Sequence, residues 1–409
     1  MYSTDKHNNK SDKATAGIVK ITFTGDIMCD MYEIAAYKAN NGKYDFSKIF
    51  EDCKKYFSES DYVVGNLETP IANSDLSYHI TRFNSPPEFA DAIINNGISM
   101  VSTSNNHCMD RGFSGLDDTI TNLDAIGLKH TGINRDNIIP TGIVETIDNI
   151  RIGFLSYTYG TNACYNNYYL NKNEKWKVNL YQEQELYNQI YRFFYKYSRK
   201  TINYLSRLII RRNIFGWLYE GSEKNIHFLK RMKADIAALK NNKKAEYVIM
   251  CLHAGGQYNP EPSKQCKKIV SKIDNMGVDS IIVNHEHVIH YGEKSKNGVI
   301  TYSLGNFTSR TGVHRAPFDK MAEYSILFNI YLSKKDNIVK PENLTFSIAK
   351  SISDGENKVK TVLLHDLIKN CTDTNERNKL LNDNLKIYNL FTKSSKTDLE
   401  LKLEYSIEK

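Results

Sequence analysis

Hydrophobic and polar positions along the chain follow the order expected for alternating strands and helices. Short apolar runs bounded by turn residues predict buried strands, and longer segments with apolar residues three and four positions apart predict helices. We predict strands at 19–23, 61–64, 98–103, 142–146, 151–156, 247–252, 280–283, 299–303, 324–331, 343–352 and 358–364. We predict helices at 46–57, 87–96, 114–126, 184–212, 222–240, 263–276 and 375–391.

This alternation predicts an α/β fold in one large domain, which a chain of 409 residues can fill with an ample core. Residues 1–17 are polar and without periodicity, so we predict a disordered tail. The domain is predicted to span 18–365, with a helical insertion at about 165–243. Residues 366–409 are predicted to form a C-terminal helical extension.

Composition places the chain among soluble globular proteins, with 41% hydrophobic and 25% charged residues. No apolar stretch approaches the roughly 18 residues that a membrane-spanning helix needs, and the polar start does not resemble a signal peptide. The seven cysteines are scattered without a Cys-x-x-Cys pair, which predicts reduced thiols. We therefore expect a cytoplasmic protein.

The net charge of +7 is concentrated in one segment, because residues 186–219 contain seven basic residues and no acidic ones. The predicted helix at 184–212 has an apolar stripe, with its basic side chains mostly opposite. Two interpretations stay open: the helix packs on the domain with a solvated basic face, or it lies on anionic lipid at the inner face of the membrane. Nucleic acid is a third alternative and is not an expected partner.

Polar side chains follow five of the predicted strands, at the point where each strand ends. In open α/β sheets, sites form at that edge, and Asp, Glu, Asn and His are the ligand set of a divalent metal site. These residues therefore jointly predict such a site. They are Asp26, Glu68, Asn105-Asn106-His107 with Asp110, His253, and His285 with His287.

Each cluster taken singly also has a purely structural interpretation. Asp26 after a glycine is typical of a helix N-cap, and Glu68 of a solvated loop. Two histidines at i and i+2 in an extended chain point to opposite faces. Convergence of His285 and His287 therefore requires a bend after Val283.

The order of these clusters resembles the CapA family, the poly-γ-glutamate capsule synthesis proteins of the calcineurin-like metallophosphoesterase superfamily. The resemblance covers about residues 18–310 without the basic insertion. It rests on the blocks Thr24-Gly25-Asp26, Asn66-Leu67-Glu68, Asn105-Asn106-His107-x-x-Asp110-x-Gly112, Leu252-His253, His285-x-His287-Val288 and Tyr302-Ser303-Leu304-Gly305-Asn306-Phe307.

The resemblance implies a metallophosphoesterase-like two-sheet sandwich with flanking helices and a centre of two divalent ions, manganese, iron or zinc. The implied ligands are Asp26 and His287 for one ion, Asn106, His253 and His285 for the other, and Glu68 as the bridge. His107 would act on the leaving group or a phosphoryl oxygen, oriented by Asp110. We predict substrate contacts at Asn66, Asn105 and Asn306.

Several positions depart from the family pattern. Met28 stands where the superfamily usually has a histidine ligand, and Asn284 where the family has glycine. In the block 253–258, Ala254 and Gln257 replace an aromatic residue and a carboxylate. Met28 leaves one ion short of a ligand, and the changes at positions 254 and 257 remove an aromatic wall and a carboxylate.

Two hypotheses follow for function. The first is a metal-dependent phosphoesterase-type enzyme of capsule or exopolymer synthesis, acting on a phosphorylated or polyanionic substrate. The second is a noncatalytic subunit at the membrane surface, which binds polymer or capsule synthase subunits and keeps only a degraded metal site.

Overall fold

The structure, a computed structural model, describes residues 17–76, 82–184, 225–308, 321–353 and 358–407. Apart from Gly17 and Gln184, the predicted tail and the predicted basic helix at 184–212 lie outside these residues. Within the described residues, no helix combines the length and the apolar character needed to cross a membrane. All seven cysteines are free.

Strands and helices alternate along most of the chain. The strands are β1 (Ile18–Ile27), β2 (Tyr62–Leu67), β3 (Met100–Ser102), β4 (Lys129–Thr131), β5 (Ile143–Ile147), β6 (Ile150–Thr158), β7 (Tyr247–His253), β8 (Ser280–Asn284), β9 (Ile289–Lys294), β10 (Val299–Leu304), β11 (Tyr324–Lys335), β12 (Ile338–Ser353), β13 (Val359–Leu363) and β14 (Tyr405–Ser406). The helices are α1 (Met31–Ala36), α2 (Glu51–Ser58), α3 (Pro87–Asn95), α4 (Gly112–Ala125), α5 (Ala163–Asn166), α6 (Ile226–Asn241), α7 (Lys264–Asp274), α8 (Leu364–Asn370) and α9 (Thr374–Thr392).

The strands form two sheets. The first has the order β13-β12-β11-β1-β2-β3-β4, with β14 paired to β12. Its strands β1 to β4 run parallel, while β11 pairs antiparallel with β1. The second sheet has the order β5-β6-β7-β8-β10-β9, in which β6, β7, β8 and β10 are parallel. The carboxyl ends of several parallel strands therefore share one edge in each sheet.

The two sheets pack face to face around a shared apolar core. One face of β1, with Ile21 and Phe23, contributes to the same buried cluster as Ile152 of the second sheet. The rings of Tyr62 and Phe154 stack across this core with centroids 5.4 Å apart. Helices α2 and α3 cover the outer face of the first sheet, and α6 and α7 cover that of the second. The predicted α/β two-sheet class with flanking helices is confirmed.

A close backbone contact joins the two sheets at one end. The amide of Asp26 in β1 donates to the carbonyl of Gly305 after β10 (2.9 Å), and the amide of Phe307 donates to the Asp26 carbonyl (2.8 Å). A Cβ at Gly25 would lie 2.0 Å from the Gly305 oxygen, so only glycine allows this approach. The contact brings the carboxyl ends of β1 and β10 together.

The structure contains elements that the hydrophobic pattern did not predict. Helix α1 has six residues and is fixed by a capping box between Asp30 and Glu33. Strand β4 has three residues, too few for alternation to be recognised, and β9 is an edge strand with a half-buried polar end. These elements depend on tertiary pairing more than on local periodicity.

Candidate metal centre

All six predicted metal ligands meet where the carboxyl ends of the two sheets adjoin. The first sheet supplies the two carboxylates and Asn106, from β1 and the segments after β2 and β3. The second sheet supplies the three histidines, from the end of β7 and the turn after β8. Their exposed fractions are between 0 and 3%, for Asp26, Glu68, Asn106, His253, His285 and His287.

The potential ligand atoms form two groups of three that share Glu68. One group is Asp26, Glu68 and His287, and the other is Glu68, His253 and His285. Within each group the atoms lie within 4.8 Å of one another. Asn106 adds an amide oxygen to the second group, since its Oδ1 lies 2.7 Å from His253 Nε2. The two groups of potential metal ligands therefore overlap at Glu68.

Glu68 is the most unusual carboxylate of this cluster. It is fully buried, and neither oxygen has a hydrogen-bond partner among the described residues, although Oε1 lies 3.4 Å from His253 Nε2. Burial, followed by the charge of nearby Asp26, raises the pKa of Glu68 to about 8. A divalent cation would offset both effects, so the donor set fits metal ions.

Asp26 is held in place more fully than Glu68. Its Oδ1 accepts a hydrogen bond from Asn66 Nδ2 (2.7 Å), and its Oδ2 lies 3.1 Å from His287 Nδ1. Burial favours the protonated carboxyl, but the hydrogen bond and charge of His287 outweigh it and lower the pKa of Asp26. Asp26 is therefore available as an ionised ligand.

The histidines converge because the backbone bends sharply after β8. His285 and His287 have φ values of 114° and 61°, so the chain leaves the extended conformation as the sequence required. Burial lowers the pKa of His253 to about 3 and that of His285 well below its ordinary value. Both imidazoles are thus neutral near pH 7, the form that binds metal.

His107 lies beside this cluster and is fixed by Asp110. The distance between His107 Nδ1 and Asp110 Oδ2 is 2.7 Å, and the same oxygen accepts the amide of Phe83 (2.8 Å). The Phe83 ring packs 4.3 Å from the imidazole, centroid to centroid. Asp110 therefore orients the ring and leaves Nε2 for chemistry. The catalytic role of the pair stays a prediction.

The three asparagines predicted to contact substrate are all buried and hydrogen-bonded within the protein. Asn66 donates to Asp26, Asn105 Nδ2 donates to the carbonyl of Leu67 (2.7 Å), and Asn306 Oδ1 lies 2.9 Å from His287 Nδ1. These contacts position the candidate ligands or the loops that carry them. Contact of the asparagines with substrate stays a prediction.

The departures from the family pattern are partly compensated by other residues. Met28 is buried, and its amide donates to Thr308 Oγ1 (2.8 Å). Tyr159 supplies an aromatic ring 4.8 Å from that of His285, and Tyr258 lies 5.4 Å from His287, centroid to centroid. An aromatic wall is therefore present without an aromatic residue at position 254.

The sequence analysis did not identify Tyr159, Asn162 or Glu286. Asn162 bridges two predicted residues, because its Oδ1 accepts from Asn106 Nδ2 (3.4 Å) and its Nδ2 lies 3.5 Å from His107 Nδ1. Tyr159 and Asn162 follow the carboxyl end of β6, so the strand-end rule applied to β6 would have found them. No local signal distinguishes Glu286 from an exposed loop residue.

Fold and site together define an α/β sandwich with a buried candidate metal centre at the carboxyl ends of its strands. The sequence model of the bacterial capsule synthesis protein family (PGA_cap) matches residues 20–311, a range that contains every residue of this centre. The chain belongs to this family.

Two curated proteins are similar to the chain over most of its length. The capsule biosynthesis protein CapA of Bacillus anthracis is 22% identical over 318 residues, which cover 76% of this chain and 64% of that protein. The PGA biosynthesis protein CapA of Bacillus subtilis (strain 168) is 22% identical over 323 residues, which cover 76% and 69%. The chain thus spans less than two thirds of the Bacillus anthracis protein.

Two solved structures are also similar. The calcineurin-like phosphoesterase YfkN from Bacillus subtilis aligns with a TM-score of 0.40 and 13% identity, over 91% of this chain and 97% of that one. A phosphatase from Mycoplasma pneumoniae aligns with a TM-score of 0.35 and 12% identity, over 85% and 93%.

Proposed function

We propose that this protein is a metal-dependent phosphoesterase-type enzyme of capsule, poly-γ-glutamate or other exopolymer biosynthesis. Its substrate is phosphorylated or polyanionic, and its cofactor is a pair of divalent ions, manganese, iron or zinc. The observation that carries the proposal is Glu68, a fully buried carboxylate shared by two groups of potential ligands, without a hydrogen bond among the described residues.

Each group of residues would hold one ion. Asp26 and His287 would hold the first, and the second would be held by Asn106, His253 and His285, while Glu68 belongs to both groups. Divalent ions bound there would supply Lewis-acid stabilisation of the negative charge on a phosphoryl group.

His107 is the proton donor in this proposal. Asp110 accepts from the Nδ1 side of the ring, so Nε2 is the nitrogen that can give a proton to the leaving oxygen. The ring itself is nearly buried, which excludes most competing water.

Elemental analysis and a general phosphodiester assay test the proposal on the same preparation. We expect the purified chain to retain Mn²⁺ after loading and to hydrolyse bis(p-nitrophenyl) phosphate. His253→Ala should lower kcat/KM by roughly a hundredfold or more, since Lewis-acid stabilisation is worth several kcal/mol. His227→Ala, an exposed histidine at the start of α6, is the control. A wild-type chain without metal and without activity contradicts the proposal.

The second candidate function is a noncatalytic subunit that binds polymer or capsule synthase subunits at the membrane surface. Met28 favours it, because the histidine ligand that is usual in the superfamily is missing from the first group. The basic segment at 184–212, which would contact anionic lipid, lies outside the described residues except for Gln184. A metal-free, inert chain that floats with anionic but not with zwitterionic liposomes would support this candidate.

A further inference from the structure

Glu286, between the two histidines of the β8–β9 turn, is fully buried and fastens this turn to the loop at 254–258. Its Oε1 accepts a hydrogen bond from the amide of Gly256 (2.9 Å), and its carbonyl accepts one from the amide of Tyr258 (2.8 Å). The amide of Ala254 donates to the carbonyl of Asn284 (3.1 Å). The turn thus accepts hydrogen bonds from three backbone amides of the loop, those of Ala254, Gly256 and Tyr258.

The space taken by the Glu286 carboxylate exists because residue 255 is a glycine. Gly255 has a φ of +116°, and a Cβ there would lie 2.3 Å from Glu286 Oε1 and 2.8 Å from its Cδ. The glycine therefore permits both the backbone conformation and the close approach of the carboxylate. A side chain at position 255 would therefore collide with the Glu286 carboxylate.

The loop held by Glu286 is the one that covers His287. Gln257 Nε2 lies 3.4 Å from His287 Nε2, and the Tyr258 ring centroid is 5.4 Å from that of His287. His285 and His287, on both sides of Glu286, have positive φ values that non-glycine residues seldom adopt. A contact that fastens this turn also stabilises the strained backbone that directs both imidazoles into the centre.

We propose that Glu286 is a positioning residue of the metal centre. Its buried carboxylate acts through the 254–258 loop to hold His285 and His287 in their binding orientation and to set Gln257 and Tyr258 against His287. This inference rests on the proposed metal site. Outer partners that orient metal ligands are typically worth ten- to hundredfold in metal affinity.

Glu286→Ala and Glu286→Gln test the inference with two independent measurements, Mn²⁺ affinity by titration calorimetry and amide hydrogen exchange without metal. We expect Glu286→Ala to weaken Mn²⁺ binding roughly tenfold to a hundredfold and to speed exchange at Gly256 and Tyr258. Glu286→Gln keeps an oxygen that can accept from the Gly256 amide, so it should restore both quantities to within about threefold of wild type.

Gly255→Ala provides the reciprocal test. The added Cβ displaces the carboxylate, so we expect the same weakening of Mn²⁺ binding as in Glu286→Ala. Gly277→Ala is the matched control, because Gly277 also has a positive φ (+95°) but has open space around its would-be Cβ. Gly277→Ala should change stability but not Mn²⁺ affinity. The double variant Gly255→Ala with Glu286→Ala should bind no more weakly than Glu286→Ala alone.

The outcomes separate the inference from the function on which it rests. If wild-type protein binds no Mn²⁺, the proposed function fails and the role of Glu286 fails with it. If wild type binds Mn²⁺ and Glu286→Ala binds it equally well, the positioning role is overturned while the metal site stands, whatever the change in thermal stability. Unchanged exchange at Gly256 in Glu286→Ala overturns the loop contact itself.

Discussion

Two carboxylates near the first sheet, the fully buried Glu68 and the partly buried Glu404, differ in how their charge is satisfied. Glu68 lies at the carboxyl ends of the strands, and neither of its oxygens has a hydrogen-bond partner among the described residues. Glu404, near the end of the chain, lies on the helix-covered face of the same sheet and is surrounded by donors. The comparison distinguishes a structural carboxylate, Glu404, from a carboxylate that is available to bind a ligand, Glu68.

Glu404 ties the C-terminal segment to the sheet. Lys20 Nζ lies 2.8 Å from its Oε2, and the hydroxyl of Tyr331 donates to Oε1 (2.6 Å), as does that of Thr345. Burial alone would raise the pKa of Glu404, but the hydrogen bonds from Lys20, Thr345 and Tyr331 outweigh it and lower that pKa. The same type of side chain therefore has opposite pKa shifts in the two regions.

The difference indicates which of the two carboxylates needs a cation from outside the chain. A buried carboxylate without donors is unfavourable, so a fold keeps one where a cation can compensate it. Glu404 forms an ion pair with Lys20 of the same chain. We infer that Glu68 binds divalent cations from solution.

The largest expected effect concerns metal binding. Glu68→Ala removes a ligand from both groups, so we expect Mn²⁺ affinity to fall by more than about a hundredfold, beyond the loss typical of outer partners. Glu404→Gln should leave Mn²⁺ affinity within about twofold of wild type, and titration calorimetry measures both. Equal Mn²⁺ binding by wild type and Glu68→Ala would show that the shared carboxylate is not a ligand.

The next effect concerns stability without metal, where the same substitution should act differently at the two positions. In EDTA, Glu404→Gln should lower the free energy of unfolding by about 2 kcal/mol, because it breaks charged hydrogen bonds. Glu68→Gln should not lower it, since no hydrogen bond among the described residues is lost. Urea unfolding at about pH 7 measures both values. A loss of stability in Glu68→Gln as large as that in Glu404→Gln would remove the distinction.

The third effect is the pH dependence of that stability. With a pKa of about 8 in the folded protein and an ordinary value of 4.5, Glu68 takes up a proton on folding between these two pH values. Its contribution is therefore complete below pH 4.5 and is lost as the pH rises to about 8. The lowered pKa of Glu404 has the opposite sign, so its stabilisation is present above its ordinary pKa and is lost on acidification.

Unfolding titrations in EDTA from about pH 3 to about pH 9 separate the two contributions. Glu68→Gln should reduce the loss of stability that occurs as the pH rises from 4.5 to about 8. Glu404→Gln should reduce the loss of stability that occurs on acidification. Identical pH profiles for wild type and both variants would contradict the two pKa shifts.

Much of the centre could be predicted because its residues follow local patterns. Asp26, His253 and His285 each lie at the end of an apolar run, and parallel strands place such ends at one edge. Even the bend at His285 followed from the alternation of side chains along a strand. Glu286 could not be predicted, because its burial depends on the 254–258 loop, some thirty positions earlier in the sequence.

The sequence by itself determined the types of most elements and placed polar side chains at the strand ends, since periodicity and turn residues act over a few positions. Only the tertiary structure decided that the carboxylates of the first sheet meet the imidazoles of the second, through the backbone contact of Asp26 with Gly305. It also decided that Glu404 is paired with Lys20, whereas neither Glu68 oxygen has a hydrogen-bond partner in the part of the chain that the structure describes. Pairing and burial depend on residues far apart in the chain, which no local pattern encodes.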